Sequence, residues 1–278
     1  MRPPPASPYD GPLSPYDGRL ASPYIGRSSL TLMGIRTATP YRSELAALDA
    51  QAWPGYLSAR SGLPGPRANL ELVAAVADVG TEPVFDALIG SGDERAEEYL
   101  VVCGVVGLGG VLGASPRRED VVDRLHALAG DERWRVREAV AMALQRLGDA
   151  DLPRLLALAS VWGRDGNPLV QRAAIAGLCE PRLLRAPDAA LAAVDLCEIV
   201  TAALAARPAA QRRRPDVRTL RQGLGYCWSV AVAADPADGL PRFLALAASA
   251  ARPGADTDVA WVVRENQRKH RLVRLLPG

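Results

Sequence analysis

From residue 43 onward, apolar positions recur at helical spacing and polar ones fill the opposite face. The clearest stripe is Val136, Val140, Leu144 and Leu147, at i, i+4, i+8 and i+11, in a helix entered through "DERWRVREA". Following such stripes and stopping at Gly, Pro and Asx residues predicts a series of helices. They cover 43–60 (interrupted at Pro54), 67–78, 81–89, 93–112, 118–129, 132–147, 151–162, 167–179, 188–206, 215–233, 239–251 and 257–276. The breaks between them carry ordinary stop and start residues, among them Gly130-Asp131, Gly148-Asp149, Gly166-Asn167, Pro187-Asp188 and Gly254. Alternating strand patterns are scarce, so the expected fold is all-α with helices joined two by two.

Residues 1–41 break this pattern. Ser-Pro-Tyr starts at Ser7, Ser14 and Ser22 in a Pro-punctuated segment that has no apolar periodicity. The expectation is a disordered Pro/Ser/Tyr-rich extension followed by a helical domain over 42–278. Three copies of one short motif would give a partner avidity. The simpler account is an unstructured extension whose repetition arose by local duplication, or a start codon assigned too early.

The stretch "DVAWVVREN" near the C-terminus repeats the layout of "DERWRVREA": Asp, two residues, Trp, one residue, Val-Arg-Glu. Aligning helices on that Val gives Val136, Val170, Val217 and Val263, spaced 34, 47 and 46 residues apart. Asp131, Asp165 and Asp258 each stand five residues before their Val. Such periods belong to stacked helix pairs. On these residues the chain resembles HEAT-repeat proteins, and more narrowly the small bacterial stand-alone kind whose last helix reads like "WVVRENQRKHRL".

The resemblance implies an α-solenoid of five or six antiparallel helix pairs. It also implies an inter-repeat ladder in which Asp131 with Arg137, and Asp258 with Arg264, supply the rungs. Asp165 with Gln171 departs from that pattern, and the Val217 unit has Arg212 in place of the Asp. Trp134 and Trp261 read as packing wedges at the helix entrances. Asn266 stands where the earlier copy has Ala139, a place from which a polar side chain can reach a neighbouring backbone.

Composition narrows the function. A chain with 49% hydrophobic residues, 23% charged residues and a net charge of +2 is of globular type and carries no global polyanion signature. Cys103, Cys179, Cys197 and Cys227 are widely spaced, with His126 and His270 far from them, so no metal or redox spacing exists and no cofactor is expected. The longest apolar run, Tyr99 to Ala114, falls short of the roughly 20 residues a bilayer span needs. Without the order of a secretory signal, the expectation is a cytoplasmic protein that does not enter membranes.

Four constellations could carry chemistry. "GVVGLGG" (Gly104–Gly110) has the glycines of a phosphate loop but lies inside a helical pattern with no strand before it, which suits close helix approach instead. The turn "SGLPGPRANLEL" places Arg67 before a helix start, an anion-binding candidate. His126, within "DVVDRLHALAG", has no nucleophile elbow or oxyanion loop nearby.

The fourth is a pair of basic clusters: Arg212, Arg213, Arg214, Arg218 and Arg221, then Arg264, Arg268, Lys269, Arg271 and Arg274. Residues 139–278 carry 19 Lys/Arg against 13 Asp/Glu. The clusters fit either the charged outer surface that a terminal repeat needs for solubility or a partner-binding face. "PLVQRAAIAGL" and "WRVREAVAMAL" also resemble helices of the HEAT-like DNA alkylation-repair glycosylases, which implies a basic groove with a catalytic Asp and stacking aromatics. No residue here can be placed in those catalytic roles. The expected function is therefore non-enzymatic binding of a protein partner, with DNA binding or base excision as the alternative.

Overall fold

The computed structural model describes residues 40–90, 98–115 and 117–276. The Ser-Pro-Tyr motifs lie outside the described residues. Helices follow one another as α1 (Pro40–Ala46), α2 (Trp53–Arg60), α3 (Leu70–Val79), α4 (Glu82–Gly90), α5 (Glu98–Ala114), α6 (Glu119–Ala129), α7 (Trp134–Ala150) and α8 (Leu152–Trp162). They continue as α9 (Pro168–Leu178), α10 (Pro187–Ala205), α11 (Ala209–Arg212), α12 (Pro215–Ala234), α13 (Pro236–Ala250), α14 (Thr257–Gln267) and α15 (His270–Val273). No strand occurs among the described residues.

The helix starts have local causes. Asn69, Asp151, Asn167, Asp235 and Asp256 each accept a main-chain N–H of the first turn that would otherwise go unpaired. Two expected helices are interrupted. The span 43–60 divides around a 3-10 turn at Ala50–Ala52, with Pro54 in the first turn of α2. The span 257–276 stops at Gln267 and resumes as the short α15. The long gap after α10 holds the single turn α11; the start of the expected helix 93–112 lies outside the described residues, and the other boundaries fall close to those expected.

The helices stack in two rows. α4, α6, α8, α10 and α13 form an outer row, and each leads into the inner helix it packs on: α5, α7, α9, α12 and α14. These are five helix pairs, with α1 to α3 covering the N-terminal end and α3 continuing the inner row. Successive inner helices touch one another much more extensively than successive outer ones do.

Small residues allow that approach. A methyl group on Gly109 would stand 2.3 Å from the carbonyl oxygen of Ala143 on α7. The run "GVVGLGG" is therefore the mid-part of α5, buried against α4 and α7. One continuous core of Val, Leu and Ala runs the length of the stack, with Trp228 buried at its C-terminal end and its indole N–H bonded to the Thr201 hydroxyl at 2.9 Å. No helix among the described residues is long and apolar enough to cross a membrane.

Candidate interaction surface

Stacking side by side puts residues one repeat apart next to each other, and charged side chains use this. Glu98 on α5 accepts from Arg135 on α7 at 2.9 Å, across 37 residues of sequence. Glu138 on α7 accepts from Arg172 on α9, whose side chain is only 4% exposed, across 34 residues. Arg221 on α12 donates to Asp258 on α14 at 2.6 Å, again across 37. On the outer row Glu82 pairs with Arg118, Asp86 with Arg124, and Asp195 and Glu198 with Arg242. A ladder therefore exists, and its rungs join neighbouring helices of one row.

Its members differ from those expected at the helix entrances. Asp131 holds Arg133, accepting its main-chain N–H at 2.8 Å and its guanidinium at 2.8 and 3.0 Å. Burial raises the Asp131 carboxyl, but the hydrogen bonds from Arg133 outweigh it and leave the carboxyl below its ordinary value. Arg137 donates to the main-chain carbonyls of Asp131 and Glu132 at 2.6 and 2.8 Å, tying off its own turn. Asp258 is a rung, with Arg221 as its partner and Arg212 3.8 Å away, whereas Arg264 is exposed on another face of α14. The reason is register: six residues along a helix turn Arg264 well away from Asp258, while α12 lies directly alongside.

The two Trp residues also part company. Trp261 lies across α12, where a methyl group on Gly225 would be 2.8 Å from its ring, and Arg221 sits 4.7 Å from its centroid. Trp134 is half-exposed and carries Arg135 over its ring at 4.5 Å. Asn266 is fully buried and ties α14 to α12: it accepts the N–H of Ser229 at 2.8 Å and donates to the Leu224 carbonyl at 2.9 Å.

The structure brings the two basic clusters together along the seam between α12 and α14. Arg212 binds Asp256 and the carbonyl of Arg207, and Arg271 donates to the Tyr226 hydroxyl at 2.9 Å. These two and Arg221 are built into the structure. Arg214 and Arg268 pair with Asp216 and Glu265 yet keep 63% and 72% of their side chains exposed. Arg213, Arg218, Arg264 and Arg274 are exposed, and Lys269 is half-buried at the start of α15.

Other candidates stand apart from this seam. Arg67 is exposed in the loop before α3. His126 meets Asp165 at 2.8 Å and packs edge-on to Trp162, joining α6 to the turn after α8. Cys103, Cys179, Cys197 and Cys227 are buried thiols, Cys103 and Cys197 raised chiefly by that burial. An open cleft of about 310 Å³ lies between α8 and α10, floored by Leu156, Leu178, Leu196 and Ile199 with Arg164 and Asp195 at its edges. Among the described residues no group of His, Cys, Asp and Glu is arranged to hold a metal.

The repeating layout of outer and inner helices from α5 to α9 coincides with a family match: the model for HEAT repeats aligns with residues 107–179. Residues 107–179 carry HEAT repeats. The match spans the pairs α6/α7 and α8/α9, and the same row geometry continues through α14. Among curated proteins and among solved structures nothing matches, so the likeness to alkylation-repair glycosylases has no support from the comparisons.

Proposed function

We propose that this HEAT-repeat chain is a non-enzymatic scaffold that binds a protein partner on its inner row, with the α12/α14 seam as the contact. The observation behind this reading is the uneven use of charge. From α5 to α9 the inner-row arginines Arg135 and Arg172 are taken up by Glu98 and Glu138, whereas at the seam Arg214, Arg218, Arg264 and Arg268 stay exposed. Stacked repeats offer broad curved surfaces of this kind for recognition. Residues that Arg212, Arg221 and Arg271 hold in place then support the contact without making it.

Base excision finds less support. The recessed carboxylate Asp258, one turn from Trp261, is engaged by Arg221 at 2.6 Å and approached by Arg212. A carboxylate so paired is not presented to a substrate. The test is affinity capture from the native host with the wild-type chain and with an Arg218→Glu/Arg264→Glu variant of equal melting temperature. Loss of the captured protein with the variant supports the reading, and identical capture by both refutes it.

A further inference from the structure

The register of the seam allows the partner's contacting segment to be specified, an inference that rests on the protein-binding reading above. Arg214 stands at the N-cap position that starts α12, and Arg218, Arg221 and Gly225 follow it at i+4, i+7 and i+11, on one stripe of the helix. On α14, Trp261, Arg264 and Arg268 fall at i, i+3 and i+7, likewise one stripe. The stripes meet where Trp261 lies on Gly225 and beneath Arg221. Both helices run in the same direction, since Arg221 faces Asp258 while, further along, Ser229 faces Asn266.

Placing Asp258 level with Arg221 converts residue numbers into distances. With a rise of about 1.5 Å per residue, Arg214, Arg218, Trp261, Arg264 and Arg268 stand at about 0, 6, 15, 20 and 26 Å along the seam. They form a diagonal track of four guanidiniums with an aromatic ring near its middle. Along an extended chain, side chains of one face recur every ~6.6 Å, giving positions at about 0, 7, 13, 20 and 26 Å. The two series agree to within about 2 Å, less than the reach of an Arg side chain.

We infer that the α12/α14 seam binds an extended acidic segment of a protein partner, with carboxylates at positions 1, 3, 7 and 9 and an apolar side chain at position 5 against the part of Trp261 that Arg221 leaves exposed. Guanidinium and carboxylate match as planar bidentate partners. Asp216 and Glu265 compete for Arg214 and Arg268, but the guanidinium side of each pair is solvated, so the arginines can swing to a new carboxylate. No ion pair among the described residues involves Arg218 or Arg264. The same interspersed carboxylates disfavour a polyphosphate, which would present charge along its whole length to Asp216 and Glu265 as well.

The experiment uses the full chain and a labelled nonapeptide, Glu-Thr-Glu-Thr-Leu-Thr-Glu-Thr-Glu, read by fluorescence anisotropy near physiological salt. Binding is expected to weaken at least about tenfold with Arg218→Glu or Arg264→Glu, a loss on the scale of one charge-assisted contact. Arg117→Glu, the same charge change at an exposed residue far from the seam, should shift it less than about twofold. A composition-matched peptide with its four Glu contiguous should bind about tenfold more weakly.

Three results would overturn the inference: equal binding of the contiguous peptide, no binding of the alternating one, or tighter Arg218-dependent binding of a single-stranded oligonucleotide. If the peptide fails while host-partner capture still depends on Arg218 and Arg264, the scaffold reading survives and only the acidic extended segment is lost. If the peptide binds while capture is indifferent to both arginines, the reverse holds.

Discussion

The middle of the inner row and its C-terminal seam are built from the same parts and finish differently. At α5, α7 and α9 each bridging cation meets a carboxylate one repeat away, and Arg172 is sealed so well that only 4% of its side chain sees solvent. At α12 and α14 the rung Arg221–Asp258 repeats that arrangement, but further arginines line the same stripes beyond what Asp216 and Glu265 offset. Identical geometry thus serves cohesion in one place and leaves charge outward in the other. What separates the two is the local ratio of guanidinium to carboxylate, which a shared fold does not fix.

The sharpest way to break this contrast is at the middle rung. Glu138→Ala strands the Arg172 guanidinium in a nearly dry setting and should cost about 3–5 kcal/mol, read as a fall in the denaturant midpoint. Replacing both partners by Met should restore most of that loss, because the pair's own desolvation is expensive. If the single change costs under about 1 kcal/mol, the middle of the row is not held as described. At the seam, Asn266→Leu removes partners from the Ser229 N–H and the Leu224 carbonyl and should cost about 2–3 kcal/mol in the same assay.

Acid affects both regions, and the sign follows from the shifts. Burial raises the carboxyls of Asp131 and Asp256, but hydrogen bonds from Arg133 to the first, and from the Val259 N–H and Arg212 to the second, bring both below their ordinary value of 3.8. Carboxyls lower in the folded state than in the unfolded one stabilise above the unfolded value and lose that contribution as pH falls through the folded value. Melting temperature should therefore be flat above about pH 5 and drop below about pH 4, with a shallower drop for Asp256→Asn. The smallest effect belongs to the open arginines. Arg218→Ala and Arg264→Ala should each stay within about 0.5 kcal/mol of wild type, so a larger loss would mean that these side chains serve the fold.

Helix placement was legible because the core stripe and the stop residues act locally: Val136 to Leu147 and the breaks at Gly130 and Gly148 report on single helices. The row architecture was legible from the spacing of Val136, Val170, Val217 and Val263. Rung partners were not, since Asp258 and Arg264 are close in sequence but lie on different faces of one helix, while Arg221 comes alongside only when α12 and α14 dock. A signal was present in the acid–base pairs separated by 34 to 37 residues, such as Glu98 with Arg135 and Glu138 with Arg172, and it becomes readable once the period is known. Trp134 and Trp261 show the same limit: like surroundings in sequence, but Trp261 lies on Gly225 of the neighbouring helix while Trp134 is half-exposed with Arg135 over its ring.

Asn266 gives the seam its zero mark. Apolar stacking attracts without regard to direction, so two helices of Val and Ala could settle a turn higher or lower against each other at small cost. A buried amide that accepts from one backbone position and donates to another has a single setting in which both bonds close. It acts as the notch on a ruler, holding α12 and α14 at the one offset in which Arg221 also stands level with Asp258. A chain altered only at Asn266 could keep all of its charges and still present them at the wrong intervals.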